Sequence, residues 1–583
     1  MSRIPCSTVL ISSALLLVTA LVSSSCDSRP APADLILFNG NIHTVDSLRP
    51  HATALAIRNG ILVAIGTDAE MLAFQGEQTQ RTDLDGRFVM PGFIDGHGHF
   101  SGMGYSLIDL NFLKAKNWDE IVAAVEAAAR QAKPGEWIVG RGWHQEKWDR
   151  ALQRHVQGYP WHDHLSEVSP DNPVMLHHAS GHALIANQAA MDAAGVGRET
   201  PDPHGGHIVR GPAGDPIGVF EERAMAAIAA AHQSYLDELQ PAERLERWYR
   251  GIELAQAKCL ENGVTSFQDA GSSFEELERY ADLAEQGRLD IRLWAMARHP
   301  SDVLRENLPS YPRIDLGNRH FTCRAIKTEL DGALGSYGAW LLEPYADKPG
   351  FTGQNTTPLE EVETIAALAL SHDMQLCVHT IGDRANRELL NLMEKITSEK
   401  TGGRQLQMLR WRSEHAQHID PTDIPRFADL GVIASMQGIH CTSDAPFVEK
   451  RLGKIRTETG AYPWQSLLKA GAVVTNGTDV PVEDVSPLAC FYASVTRKRH
   501  QDAYQGLELA PQQRMTREQA IYSYTMACAY SAFEDHWKGS LSPGKVADLV
   551  VLSNDLLTCP DEDILQTKVL MTMVDGMVKA GGI

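Results

Sequence analysis

Two histidines one residue apart, His97 and His99, close the stretch MPGFIDGHGH at residues 90–99. In an extended strand, residues i and i+2 point to the same face. The two imidazoles therefore aim at one point, and Gly92, Gly96 and Gly98 leave room there for an ion. A borderline divalent metal such as zinc asks this of its first ligands. The bland alternative is a glycine-rich strand end whose histidines happen to alternate. Further metal-capable residues follow: Lys327 in AIKTELDG, His379 in CVHTIGDR, His415 in WRSEH and Asp479 in TNGTD.

The chemistry of such a set is hydrolytic. A divalent ion acidifies water and polarises a carbonyl. Asp479 can bind the metal or the water, accept a proton, and deliver it to a leaving nitrogen. Lys327 is a poor ligand while cationic; N-carboxylated, it becomes an anionic oxygen ligand able to bridge two metals.

These residues need elements that bring them together. Eight short apolar segments alternate with helical patterns: residues 92–99, 264–270, 291–297, 324–330, 374–380, 409–415, 432–437 and 472–479. That alternation predicts βαβ units and a (β/α)8 TIM-like barrel, an α/β fold whose C-terminal strand ends converge on one face. Leu245, Trp248, Ile252, Ala255 and Cys259 form an apolar stripe at helical spacing, as barrel packing requires. Asn117, with Glu120 three residues on, reads as a helix start. Residues 34–66 alternate and carry Asn39-Gly40 and Asn59-Gly60, which are hairpin signals. A similar pattern returns near the other end. The predicted organisation is a small β-sandwich domain from residues 34–88 plus 540–583 and a barrel over 89–539. Residues 100–262 form a large insertion after the first strand, a lid or specificity wall over the mouth.

The chain has 583 residues and a formal net charge of −21, which argues against nucleic acid as a partner. The seven cysteines from Cys259 onward are scattered and form no C-x-x-C, so neither a disulfide framework nor a sulfur-ligated zinc site is expected. Residues 1–26 read as a signal peptide: Arg3, an apolar run from Val9 to Val22, then small residues before a lipobox-like Cys26. Residues 27–33 read as a tether. The expected location is outside the cytosol, lipid-anchored to a bacterial membrane through Cys26 and facing the periplasm, or secreted if Cys26 carries no lipid.

Taken together, PGFIDGHGH, the GRGW ending at Trp143, PVMLHHASGHALIAN, GGHIVRGPAGDPIGVFEE, GVTSFQDAG, AIKTELDGALGS, VHTIGDRAN, RSEHAQ, ASMQGIH, TNGTDVPVEDVSPL and GSLSPGKVADLVVL carry a resemblance. The chain resembles the amidohydrolase superfamily, in the branch called amidohydrolase family 3 that includes N-substituted formamide deformylase. The likeness runs from Asp34 to the end. It implies a sandwich from both termini beside a TIM-like barrel, and metal ligands at His97, His99, His379 and His415. It also implies Asp479 as acid/base and Lys327 at a position that can be carboxylated. His182, Trp143 and His440 are candidate substrate contacts, each with packing as the alternative. Glu414, beside His415, is expected on the opposite strand face in a structural role, and Asp383 with Arg384 as a loop ion pair.

The sequence reading is a metal-dependent hydrolase of C–N bonds in amides, formamides or cyclic amides, holding one or two divalent ions, zinc foremost. Its partner is a small-molecule substrate; a homo-oligomer is left open. The alternatives are a deaminase or an esterase or lactonase on the same scaffold, and a lipid-anchored binding protein without catalysis.

Overall fold

The computed structural model of the chain describes residues 30–400, 406–500 and 504–583. The leader and Cys26 lie outside the described residues. Among those described, no helix is long and apolar enough to cross a membrane.

Eight parallel strands form the centre: β1 (Phe93–Gly98), β2 (Val264–Ser272), β3 (Arg292–Ala297), β4 (Phe321–Glu329), β5 (Gln375–Thr380), β6 (Arg412–His415), β7 (Ile433–Met436) and β8 (Val474–Asn476). They pair in chain order. Past β8 the chain returns to β1, with Asp479 N–H donating to His97 O at 2.7 Å and His99 N–H to Val480 O at 2.6 Å. The result is a nearly closed TIM-type barrel, and all eight predicted segments are its strands. Their continuous apolar runs suit strands buried on both faces. Helices cover the outside. The helix Pro241–Glu261 buries Trp248, Ile252, Ala255 and Cys259 on the predicted stripe.

Two further sheets make the sandwich. One is ordered Ile61–Gly66, Ala54–Arg58, Leu35–Phe38, Gln80–Asp83. The other is ordered Met577–Gly581, Val569–Val574, Leu549–Leu552, Phe88–Pro91, Asn41–His43, His51–Ala52, so strands from both chain ends share one sheet. Leu37, Leu55, Leu62, Val89, Leu549 and Met571 fill the space between them. Asn59 and Gly60 have φ of 51° and 76° and turn the predicted hairpin. Asn39-Gly40 does not turn a hairpin: it carries the chain from the first sheet to the second. Arg292 ties the barrel to this domain, with Nε on Asp548 Oδ2 at 2.7 Å and Nη2 on both Asp548 and Asp575.

Between β1 and β2 lies a six-stranded sheet, ordered Gly206–Arg210, Pro216–Glu222, Ala183–Ala186, Val174–His178, Ile138–Trp143, Leu110–Asn111. It has apolar clusters of its own on its two faces. Asn117 caps the helix Trp118–Ala129, accepting from Glu120 N–H. Lys147 pins this unit to the barrel, its Nζ reaching Ser443 Oγ at 2.5 Å and Glu483 Oε1 at 3.2 Å. The seven described cysteines are free, six of them buried.

Candidate metal centre

β1 ends in His97, buried, and His99, which keeps part of its ring open. β6 and β8 deliver their residues by leaving regular strand geometry. His415 and Ala416 have φ of 74° and 42°, and Asp479 has φ of 57°. Such left-handed backbone costs energy in non-glycine residues and is held in place by its surroundings. At Asp479 the holder is Asp95, whose carboxylate accepts from Thr478 Oγ1 at 2.5 Å and Thr478 N–H at 2.9 Å.

Asp479 stands among four imidazoles. Its Oδ1 is 3.3 Å from His99 Nε2 and 3.7 Å from His97 Nε2; its Oδ2 is 3.6 Å from His440 Nε2 and 3.9 Å from His415 Nδ1. His97, His99 and Asp479 form one group with donor atoms close enough to share an ion, and His415, His440 and Asp479 a second. The ring of His379 lies 4.4 Å from that of His415. Lys327 is buried and lines the same cavity of 1540 Å³, without an ion pair among the described residues.

Behind the imidazoles stand residues that orient them. Glu414 takes His97 Nδ1 and pairs with Arg412 Nε at 2.6 Å. Glu414 was expected to face away from the centre. It faces in with Arg412, as i and i+2 should, and the left-handed turn at His415 brings the next side chain to the same site. Gln437 Oε1 meets His415 Nδ1 at 2.8 Å, and Gln417 Nε2 meets His440 Nδ1 at 2.9 Å. Asp331 accepts from Ile381 and Gly382 N–H and lies 3.7 Å from His379 Nε2. Apart from Glu414, none of these supports stood out in sequence, because each is an ordinary polar residue whose role depends on a neighbour far along the chain. Asp383 and Arg384 form no ion pair: Asp383 accepts from the backbone N–H groups of Leu342 and Arg384, and the Arg384 guanidinium lies 3.8 Å from Glu388.

The insertion contributes a sixth imidazole. The His182 ring lies 5.6 Å from that of His379, tilted against it, and bonds Glu222 Oε2 at 3.0 Å. Trp143 does not reach the cavity. A bulge at Gly142, φ 98°, shifts the pairing of Ile138–Trp143 with Val174–His178. One extra residue turns the indole into the insertion's own core, where Nε1 donates to Leu176 O at 2.8 Å. Arg141, two residues earlier, lines the cavity instead.

Burial holds His97 down to about 4, and His379 and His415 well below the ordinary imidazole value. All three are therefore neutral, the form that ligates metal. Burial pushes the Asp479 carboxyl up, but the imidazoles around it, led by the hydrogen bond from His99, outweigh burial and hold it well below the usual carboxylate value. Burial lowers the Lys327 ammonium, against the pull of Glu414. At His182 burial is overcome by Glu222, which raises the imidazole to about 9 and keeps it cationic. The test of fit for a metal is the orphaned atoms. Nε2 of His97, His379 and His440 and Oδ1 of Asp479 are buried without a hydrogen-bond partner. Buried polar atoms are seldom left so, and a neutral-imidazole and carboxylate set suits zinc-like ions.

Comparison with known proteins bears on this centre. A sequence model described as "Amidohydrolase family" matches residues 80–579. The chain belongs to the amidohydrolase family. This amidohydrolase is 33% identical to "Protein LONG AFTER FAR-RED 3" of Arabidopsis thaliana, over 93% of the chain and 91% of that protein. It is 28% identical to "N-substituted formamide deformylase" of Arthrobacter pascens, over 94% and 98%. Among solved structures, an uncharacterized metal-dependent hydrolase from Pyrococcus horikoshii OT3 superposes with a TM-score of 0.71 at 25% identity, covering 91% of this amidohydrolase and 99% of that chain. The family places a metal-dependent hydrolase fold around the residues just described, and a small molecule is the substrate such a cavity admits.

Proposed function

We propose that this amidohydrolase hydrolyses a C–N bond of an amide, formamide or cyclic amide, with one or two divalent ions, zinc foremost. The observation that carries the reading is the set of orphaned donors around Asp479. His97, His99, His379, His415 and Asp479 would hold the metal, with Lys327, N-carboxylated, as a further oxygen ligand between two ions. Such an ion supplies acidification of water and polarisation of a carbonyl. The remaining work falls to the chain. Asp479 takes a proton from water at its free carboxylate oxygen and returns it to the departing nitrogen. Cationic His182, across from His379, donates to the oxygen on which negative charge develops. His440 holds the far side of Asp479 and contacts substrate.

Similarity to N-substituted formamide deformylase supports testing N-formyl and N-acyl amines first. The decisive measurement is metal content of the chain from Asp27 onward, beside Asp479→Asn and Lys327→Ala variants, followed by turnover of amides, esters and heterocyclic amines. One or two zinc ions with amide turnover lost in Asp479→Asn supports the reading. Two ions falling to one in Lys327→Ala supports the carboxylated lysine. Turnover of esters or heterocyclic amines alone moves the assignment to esterase or deaminase. No bound metal in a folded protein returns it to a binding role.

We also propose export, with lipid on Cys26. Labelling with palmitate in cells, lost in Cys26→Ala together with membrane sedimentation, is the expected result; a soluble cytosolic protein overturns it.

A further inference from the structure

Arg141 is a cation of the cavity that the metal centre does not use. Its Nη1 is buried without a hydrogen-bond partner, and Nη2 makes one long contact, 3.4 Å to Ala179 O. No carboxylate pairs with it among the described residues. Its neighbours in the cavity are committed. Lys147 is on Glu483 and Ser443, Arg298 on Glu329, and Arg223 on Thr356 O. The acids whose field reaches Arg141 are Asp479 and Glu483. Asp479 is ringed by imidazoles, and Glu483 is held by Lys147 and Ser443. Burial lowers the guanidinium only to about 10, so it stays cationic at neutral pH.

Arg141 as a whole is half-buried, but its Nη1 is shut off from solvent, and leaving that end of a cation without a partner is costly. Here the backbone is shaped to keep it there. The bulge at Gly142 separates Arg141 from Trp143, sending the indole into the core and the guanidinium to the cavity. A Cβ at residue 142 would lie 2.7 Å from Leu113 N, so the bulge needs its glycine. The long contact to Ala179 places Arg141 against the loop that carries Ser180, Gly181 and His182 into the cavity.

Resting on the proposed hydrolase reading, we infer that Arg141 anchors an anionic group of the substrate, a carboxylate or its isostere, some way along the molecule from the scissile bond. A guanidinium presents a planar fork that matches a carboxylate with two parallel hydrogen bonds. The substrate class is then an N-acyl or N-formyl amino acid rather than a neutral N-substituted amide.

The test uses the metal-loaded protein and N-formyl derivatives of glycine, β-alanine and γ-aminobutyrate, each against its neutral carboxamide. Turnover is compared in wild type, R141K and R141Q. Equilibrium binding of the same pairs is measured by calorimetry in D479N and D479N/R141Q, so a failure of the proposed reaction shows separately from a failure of the anchor. At one chain length the wild type favours the acid by about 10- to 100-fold, the worth of a charged hydrogen-bonded pair. R141Q brings the acid-to-amide ratio near one, and R141K, which keeps the charge but loses the fork, falls between. Acid and amide bound alike at every length, or a preference that survives in R141Q, overturns the inference.

Discussion

His97 turns Nδ1 to Glu414 and leaves Nε2 at 3.7 Å from Asp479 Oδ1. A carboxylate on one ring nitrogen fixes the proton there and keeps the lone pair on the other. Glu414 therefore sets which atom of His97 faces the centre. It is itself locked by Arg412, which reaches Gln268, Ser435 and the carbonyl of Gly96, the residue before His97. Glu414→Gln should lower metal affinity by about 10- to 100-fold, the usual effect of losing such a partner. It should also destabilise the fold by about 3 kcal/mol, because Arg412 is left buried without its charge partner. Zinc titration and denaturant unfolding check the two effects; unchanged zinc affinity would remove Glu414 from the centre.

Gly142→Ala places a side chain in left-handed backbone against Leu113. The expected cost is about 1–3 kcal/mol, concentrated in the insertion. Hydrogen exchange should show faster opening of Ile138–Trp143 while the barrel strands keep their protection. Uniform loss across the chain would mean that the insertion does not unfold by itself.

Lys147→Met should loosen the insertion on the barrel, because Glu483 keeps only Ser443. KM should rise several-fold with kcat less affected, since the metal centre is untouched, and proteolytic cuts should appear first within residues 110–222. Equal losses in KM and kcat would place Lys147 in the chemistry instead.

Asp575 links the barrel and the sandwich in a pH-dependent way. Burial alone would raise its carboxyl, but His320 and Arg292 outweigh burial and hold it at about 2, against an ordinary 3.8. A depressed carboxylate contributes stability above its unfolded pKa and loses it as pH falls through the folded value. The contribution is about 2 kcal/mol. Asp575→Asn should therefore be less stable than wild type at neutral pH, with the gap narrowing below about pH 4. Denaturant midpoints across that range decide it; a constant gap would assign the effect to shape rather than charge.

The barrel strands were legible because parallel strands buried on both faces read as short apolar runs between amphipathic helices. The candidate site was legible because His97, His99, Lys327, His379 and Asp479 sit at or near the ends of those runs. What escaped depends on breaks in periodicity. Glu414 was put on the wrong face because strict alternation was carried through His415, where the backbone turns left-handed. For Trp143 the choice between substrate contact and packing stayed open in the sequence, because the bulge at Gly142 leaves no mark there beyond one glycine. Of the insertion's strands, the short apolar runs at 137–140 and 173–178 stand out in the sequence. The hairpin Gly206–Arg210 with Pro216–Glu222, which brings Glu222 under His182, was hidden by its glycines and prolines.

The sheet that interleaves both chain ends has a consequence for how the protein is made. The strand Phe88–Pro91 leads straight into β1, yet its partner Leu549–Leu552 leaves the ribosome only after all eight barrel strands. Domains ordinarily fold in the order of their synthesis. Here the sheet that holds Asn41–His43, His51–Ala52 and Phe88–Pro91 waits with an open edge until the whole barrel has been made. A chain cut short before Leu549 would make the barrel strands yet leave the edge of Phe88–Pro91 unpaired.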